Sequence, residues 1–94
     1  MYNRVLLRLQ EKIRTQNYIM TLHAEEEMVD DDLTIFDIER AILTGKIIER
    51  QEDYRSGEWK YLVTGESVDS RLVTVVTKLS ITDKLVIITV YLES

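Results

Sequence analysis

Two runs of β-branched residues, Arg71–Leu79 and Leu85–Leu92, constrain this chain more than anything else in it. The short connection Ser80-Ile81-Thr82-Asp83-Lys84 between them completes a hairpin signal. Neither run alternates cleanly between apolar and polar. In the first, Leu72, Thr74, Val76 and Lys78 share one face, while Val73, Val75, Thr77 and Leu79 share the other. In the second, Leu85, Ile87 and Tyr91 oppose Val86, Ile88, Val90 and Leu92. Strands that are apolar on both faces are expected to be covered on both sides.

The chain before this hairpin reads as helices and then two more strands. Residues 2–16 place Val5, Leu6, Leu9 and Ile13 at helical spacing, with Arg4, Arg8, Lys12 and Arg14 largely opposite. Tyr18-Ile19-Met20 is a short apolar stretch leading to Thr21, a predicted N-cap. Glu25, Glu26 and Glu27 then suit the positive end of a helix dipole. Leu22, Met28 and Val29 are its expected inward stripe, and Asp30-Asp31-Asp32 is expected to end it. Thr34-Ile35-Phe36-Asp37 is a capping box that opens a third helix with Ile35, Ile38, Ala41, Ile42 and Leu43 as its apolar face. Gly45 is suited to a left-handed position that closes it. Lys46–Glu52 reads as a polar edge strand, residues 53–57 as a turn, and residues 59–64 as a strand with Trp59, Tyr61 and Val63 on one side. The expected fold class is α+β, with three N-terminal helices packed on a four-stranded antiparallel meander. Ninety-four residues suit a single domain, 1–94.

Charge and composition narrow the function classes. The chain has no cysteine, so disulfides and thiolate metal sites are excluded. Its apolar runs are too short to span a membrane, and Arg4, Arg8, Glu11 and Lys12 interrupt any signal-peptide core, which predicts a cytoplasmic protein. The net charge of −5 is unevenly spread. Residues 1–20 carry four basic side chains and one acidic, whereas residues 21–40 carry eight acidic and one basic. That balance argues against avid nucleic-acid binding.

Three stretches resemble a known family. Leu22-His23-Ala24 followed by Met28 is similar to a His-Ala-x-x-Arg-Met helix. Leu33-Thr34 through Asp37-Ile38-Glu39, then Leu43-Thr44-Gly45-Lys46-Ile47-Ile48-Glu49, is similar to an Ile-Ser-x-x-Asp-Ile helix with a Gly-x-Ile-Ile-Glu exit. The hairpin ending in Ile88-Thr89-Val90-Tyr91 is the third. Their order, over about four-fifths of the chain, resembles a family of small bacterial proteins described as a domain of unknown function, related to BrnT-type and RelE-type ribonuclease toxins. The resemblance implies a toxin-like α+β fold and, in such relatives, basic side chains that hold RNA phosphate and its transition-state charge. Two of the expected arginines are replaced here by Glu27 and Asp31. Acids at those positions repel phosphate and predict poor RNA cleavage or none.

The candidate chemistry is correspondingly sparse. His23 is the sole histidine, with Glu27 one helical turn on, so a histidine pair is excluded. Arg71, Lys78 and Tyr91 form the remaining set for toxin-like phosphate chemistry, with His23 as a candidate acid or base. Trp59 and Tyr61, with Arg50 nearby, are the candidate binding residues, since aromatic pairs on a sheet can stack bases but more often simply pack. The acidic set Glu25 to Asp32 lacks the spacing of a calcium loop, so no metal and no cofactor is expected. The favoured reading is a non-catalytic interaction module, binding a protein partner or itself. The alternatives are a degenerate, metal-independent ribonuclease and a metal-dependent regulator. A bare second sheet face predicts a homodimer, joined through that face or the hairpin edge, unless the first helix crosses behind the sheet.

Overall fold

In the computed structural model, which describes residues 2–93, helices and strands follow the order α1 (Asn3–Arg14), β1 (Tyr18–Met20), α2 (Leu22–Asp30), α3 (Ile35–Thr44), β2 (Lys46–Glu52), β3 (Trp59–Glu66), β4 (Leu72–Leu79) and β5 (Leu85–Leu92). The sheet has five strands in the order β1-β5-β4-β3-β2. The expected four-stranded meander is therefore corrected. β2 to β5 are antiparallel neighbours, but Tyr18–Met20 adds a fifth strand that runs parallel to β5. The stretch is only three residues long, too short for periodicity to reveal it. Its pairing depends on β5, more than sixty residues away, and also removes the free edge of the hairpin.

All three helices lie on one face of the sheet. Leu9 and Ile13 of α1, Ala24 of α2, and Ile38, Ala41 and Ile42 of α3 close one core over Val63, Val73, Val75 and Ile87. Helix α1 does not cross behind the sheet, so the second face has no helical cover. Gln10, buried on α1, donates its amide to the carbonyls of Ile42 and Leu43 at 3.2 and 3.3 Å, satisfying open acceptors at the end of α3.

A bulge explains why strict alternation misassigns β5. Val76 pairs with Thr89 but Thr77 pairs with Ile87, leaving Ile88 as the extra residue. Leu85 and Ile87 thus share the core face with Val90 and Leu92, while Val86 and Tyr91 lie on the other. The backbone groups around the bulge are taken up by α2. Thr21 donates its hydroxyl to the Ile88 carbonyl at 2.9 Å and accepts from the Ala24 N–H at 3.1 Å. Glu27 accepts the Val90 N–H at 3.1 Å.

This docking also corrects the stripe of α2. Leu22 and Val29 are 70% and 75% exposed, while Ala24 is buried and Met28 packs against the core. The helix turns its acidic and part of its apolar surface outward because Thr21 and Glu27 pin its other side to β5. The helix ends as expected within the Asp cluster, with Asp31 at its C-cap and Asp32 left-handed at φ 55°.

The capping box of α3 is formed. Thr34 accepts from the Asp37 N–H at 3.3 Å, and Asp37 accepts the Thr34 N–H at 2.8 Å. Gly45 is not left-handed; its backbone is extended, with φ −92° and ψ −176°. Glycine is required there by close approach instead. A Cβ on Gly45 would lie 2.6 Å from the Thr64 carbonyl oxygen, and one on Gly65 would overlap the carbonyl of Ala41. The two glycines let the end of α3 lie directly on β3.

Candidate functional site

The four side chains read from sequence as candidate catalytic groups do not converge. Arg71 precedes β4 at one end and Lys78 is its penultimate residue at the other, about 23 Å apart at the rise of a strand. Arg71 donates from both terminal guanidinium nitrogens to the carbonyls of Asp31 and Asp32, and from Nε to Asp69 at 2.9 Å. It stops the C-terminus of α2, and its hydrogen bond and charge pairing with Asp69 raise its own pKa. Lys78 pairs with Glu58 at 3.3 Å. Tyr91 lies opposite Thr74 on the face away from the helices. His23, on α2, has Nε2 3.3 Å from the same Glu27 carboxylate that holds β5. Among the described residues no three histidine, aspartate or glutamate side chains are placed to hold a metal ion.

The three candidate binding residues do come together. β2 pairs with β3 so that Arg50 lies opposite Tyr61 and Glu52 opposite Trp59. The Arg50 guanidinium carbon sits 4.0 Å above the Trp59 ring centre, within cation–π range. Sequence reasoning missed Tyr2, whose ring lies 5.6 Å from the same guanidinium and meets Tyr61 edge-on at 6.4 Å. Tyr2, Asn3, Arg4, Val5 and Arg50 line a cleft of about 500 Å³ at the start of α1. No local signal links residue 2 to residue 50. Only the packing of α1 beside the edge strand does so.

A second surface is the sheet face that no helix covers. It carries Ile19 51%, Leu72 48% and Tyr91 36% exposed beside the half-buried Val76, while Leu62 and Val86 on the same face are already buried at 8% each. Thr64 and Thr74 bond each other across it at 2.7 Å, and Thr74 donates to Glu93 at 2.5 Å. The face is polarised. Lys60 and Lys78 stand opposite each other at one end, while Glu66 and Glu93 stand at the other.

Elsewhere the buried polar groups are committed to structure. Asp37 accepts from the Thr34 hydroxyl and from the Val68 N–H at 2.9 Å in addition to its capping bond. Burial opposes its ionisation, but the bonds from Thr34 and Val68 outweigh burial and hold its pKa below the ordinary carboxylate value. Tyr18 donates its hydroxyl to Glu39, joining β1 to α3; burial first, and then Glu39, push its phenol up to about 12.

This helix-backed five-stranded sheet defines a small α+β protein, with no helix long and apolar enough to cross a membrane among the described residues. Residues 20–92 match the family described as Domain of unknown function (DUF4258). That is more than three quarters of the chain, and the protein belongs to this family. Comparison with curated proteins and with solved structures returns no match.

Proposed function

We propose that this protein acts as one non-catalytic interaction module, and that the open face of its sheet pairs with a second copy of the chain. The observation that carries this reading is the sheet face to which no helix of the chain packs, where Ile19, Leu72 and Tyr91 stay exposed around Val76. The four longer strands, at about 3.3 Å per residue and about 4.8 Å between strands, span roughly 500 Å² per copy. A pair therefore buries on the order of 1,000 Å², the lower bound for a specific interface. Charge adds a smaller contribution, carried mainly by Lys60 because Lys78 is paired with Glu58 within the chain. A two-fold axis in the plane of the interface and across the strands sets the Lys60 and Lys78 end of one copy over the Glu66 and Glu93 end of the other. The edges are poorer sites: β1 is three residues long, and β2 carries Glu49, Arg50 and Glu52 and a register shift at Ile48.

The resemblance to RelE-type and BrnT-type toxins supplies the alternative, a ribonuclease. The separation of His23, Arg71, Lys78 and Tyr91, and the tying of Arg71 to the end of α2, speak against it. One experiment addresses both: light scattering at micromolar concentration, alongside incubation with free and ribosome-bound RNA. The expected result is a dimer mass and no cleavage. A monomer mass sinks the self-pairing, and robust cleavage abolished by Tyr91→Phe or His23→Ala would establish the ribonuclease instead.

A further inference from the structure

The cleft between α1 and β2 plays no part in that pairing, because Tyr2, Arg50 and Trp59 are on the helix side of the sheet. Its charge is unusual for this chain. Acidic side chains outnumber basic ones seventeen to twelve, yet neither Arg4 nor Arg50 forms an ion pair or a hydrogen bond with any described residue. Glu52 lies two residues along the same strand and does not pair with Arg50. The Arg50 guanidinium instead lies over the Trp59 ring, its carbon 4.0 Å from the ring centre, with Tyr2 beside it. Stacking occupies the flat surface of a guanidinium and leaves its N–H edge free, the edge that grips phosphate in a two-pronged contact. Arg4, Arg50 and Asn3 bring donors to one cleft, and Tyr2 and Val5 give it an apolar wall.

We propose that this cleft binds a small phosphate monoester carrying a planar ring, its phosphate held by Arg4 and Arg50 and its ring against Tyr2. At about 500 Å³ the cleft falls within the range of small-ligand sites. The first turn of α1 has no acidic side chain and no side-chain cap, which adds open N–H groups without being needed to define the site. Glu52, two residues on from Arg50 on the same face of β2, repels a long polyanion tracking along the strand more than a single phosphate seated in the cleft. The ligand is therefore a free molecule rather than a nucleic-acid strand.

Trp59 is the single tryptophan, so its fluorescence reports on the guanidinium stacked over it. The full chain is titrated with AMP, adenosine, inorganic phosphate and a ten-nucleotide single strand, with calorimetry in parallel. AMP is expected to change the fluorescence saturably, with a midpoint below about 1 mM. Phosphate is expected to compete, and adenosine to bind at least about tenfold more weakly. Arg4→Gln and Arg50→Gln each weaken AMP binding about tenfold by calorimetry, with far-UV circular dichroism unchanged. Arg50→Lys does not restore it, because an ammonium has no planar fork. The proposal is overturned if AMP gives no saturable signal up to 10 mM, if adenosine binds as well as AMP, or if neither glutamine variant weakens binding. Tighter binding of the ten-nucleotide strand than of AMP overturns it as well.

Discussion

At the scale of single residues, Asp37 shows how one side chain serves two levels of structure. As the third residue of α3 it completes the cap with Thr34, and by accepting the Val68 N–H it also fastens the turn between β3 and β4 to that helix. Its pKa is lowered in the folded chain, so its contribution is fully present above the unfolded carboxylate value near 3.9 and is lost as pH falls through the lower folded value. Asp37→Asn keeps an acceptor but removes the charge. It is expected to cost about 1 kcal/mol near neutral pH, with the gap to the parent closing below about pH 4. Thr34→Ala, which removes the cap hydroxyl and its bond to the Asp37 carboxylate, is expected to cost about 1 kcal/mol near neutral pH and to shrink, without abolishing, that acid limb, since the Thr34 and Val68 N–H bonds to Asp37 remain. Urea midpoints from pH 7 to pH 2.5 check both, and a gap that stays constant with pH would mean that Asp37 has an ordinary pKa.

At the scale of elements, the contact between α3 and β3 is set by what is missing. Gly45 and Gly65 allow backbone to rest on backbone, and a methyl group at residue 65 meets the Ala41 carbonyl, which cannot swing away as a side chain would. Gly65→Ala is therefore expected to push α3 off the sheet and cost about 2–3 kcal/mol, in the manner of an overpacked core. Gly57 has open space around it but φ of 73°, so its substitution carries the smaller penalty of a left-handed turn. Thermal denaturation of the two alanine variants ranks them; equal losses would show that α3 yields to the extra methyl without resistance. Helix α2 is held differently. Glu27 and Thr21 satisfy the bulged backbone of β5, so the acid in place of the expected arginine is part of the fold's hydrogen bonding as well as its surface charge.

At the scale of the whole molecule, a two-layer arrangement with every helix on one side leaves an apolar sheet face and a concentration-dependent expectation. Leu72 is about half exposed on that face and does not join the core, so Leu72→Lys should leave the fold intact while placing a desolvated charge in the proposed interface. Sedimentation velocity is expected to show the dimer of the parent falling to a monomer in this variant, with an unchanged circular dichroism spectrum. The like change at Val75 would not discriminate, because that residue is fully buried beneath the helices. Raising salt should weaken the pair only modestly, since Lys78 is already matched by Glu58 within its own chain. A dimer that persists with Leu72→Lys places the interface elsewhere.

Local chemistry sufficed for the elements with strong internal signals. Thr34 and Asp37 bound α3, Thr21 caps α2, the Asp cluster stops it, and the β-branched runs form β4 and β5, because each depends on neighbours within a few residues along the chain. The polar character of Lys46–Glu52 likewise marked an edge strand, which β2 is. Elements whose stability lies in distant partners were not legible in this way. Tyr18–Met20 becomes a strand only because β5 offers a parallel edge, and Val90 turns inward only because Ile88 is accommodated as a bulge. The same division holds for the sites. Trp59, Tyr61 and Arg50 could be nominated from residue type and spacing, and strand register then brought them together. Tyr2 and Arg4 joined them by packing alone, whereas the distance between Arg71 and Lys78 already follows from the extended run they share. Residue type and spacing were enough to say which segments could be helix or strand and where charge and aromatic rings were available. Which of them meet was left to the packed fold, because contact across tens of residues depends on sheet order, register and the side on which each helix lies.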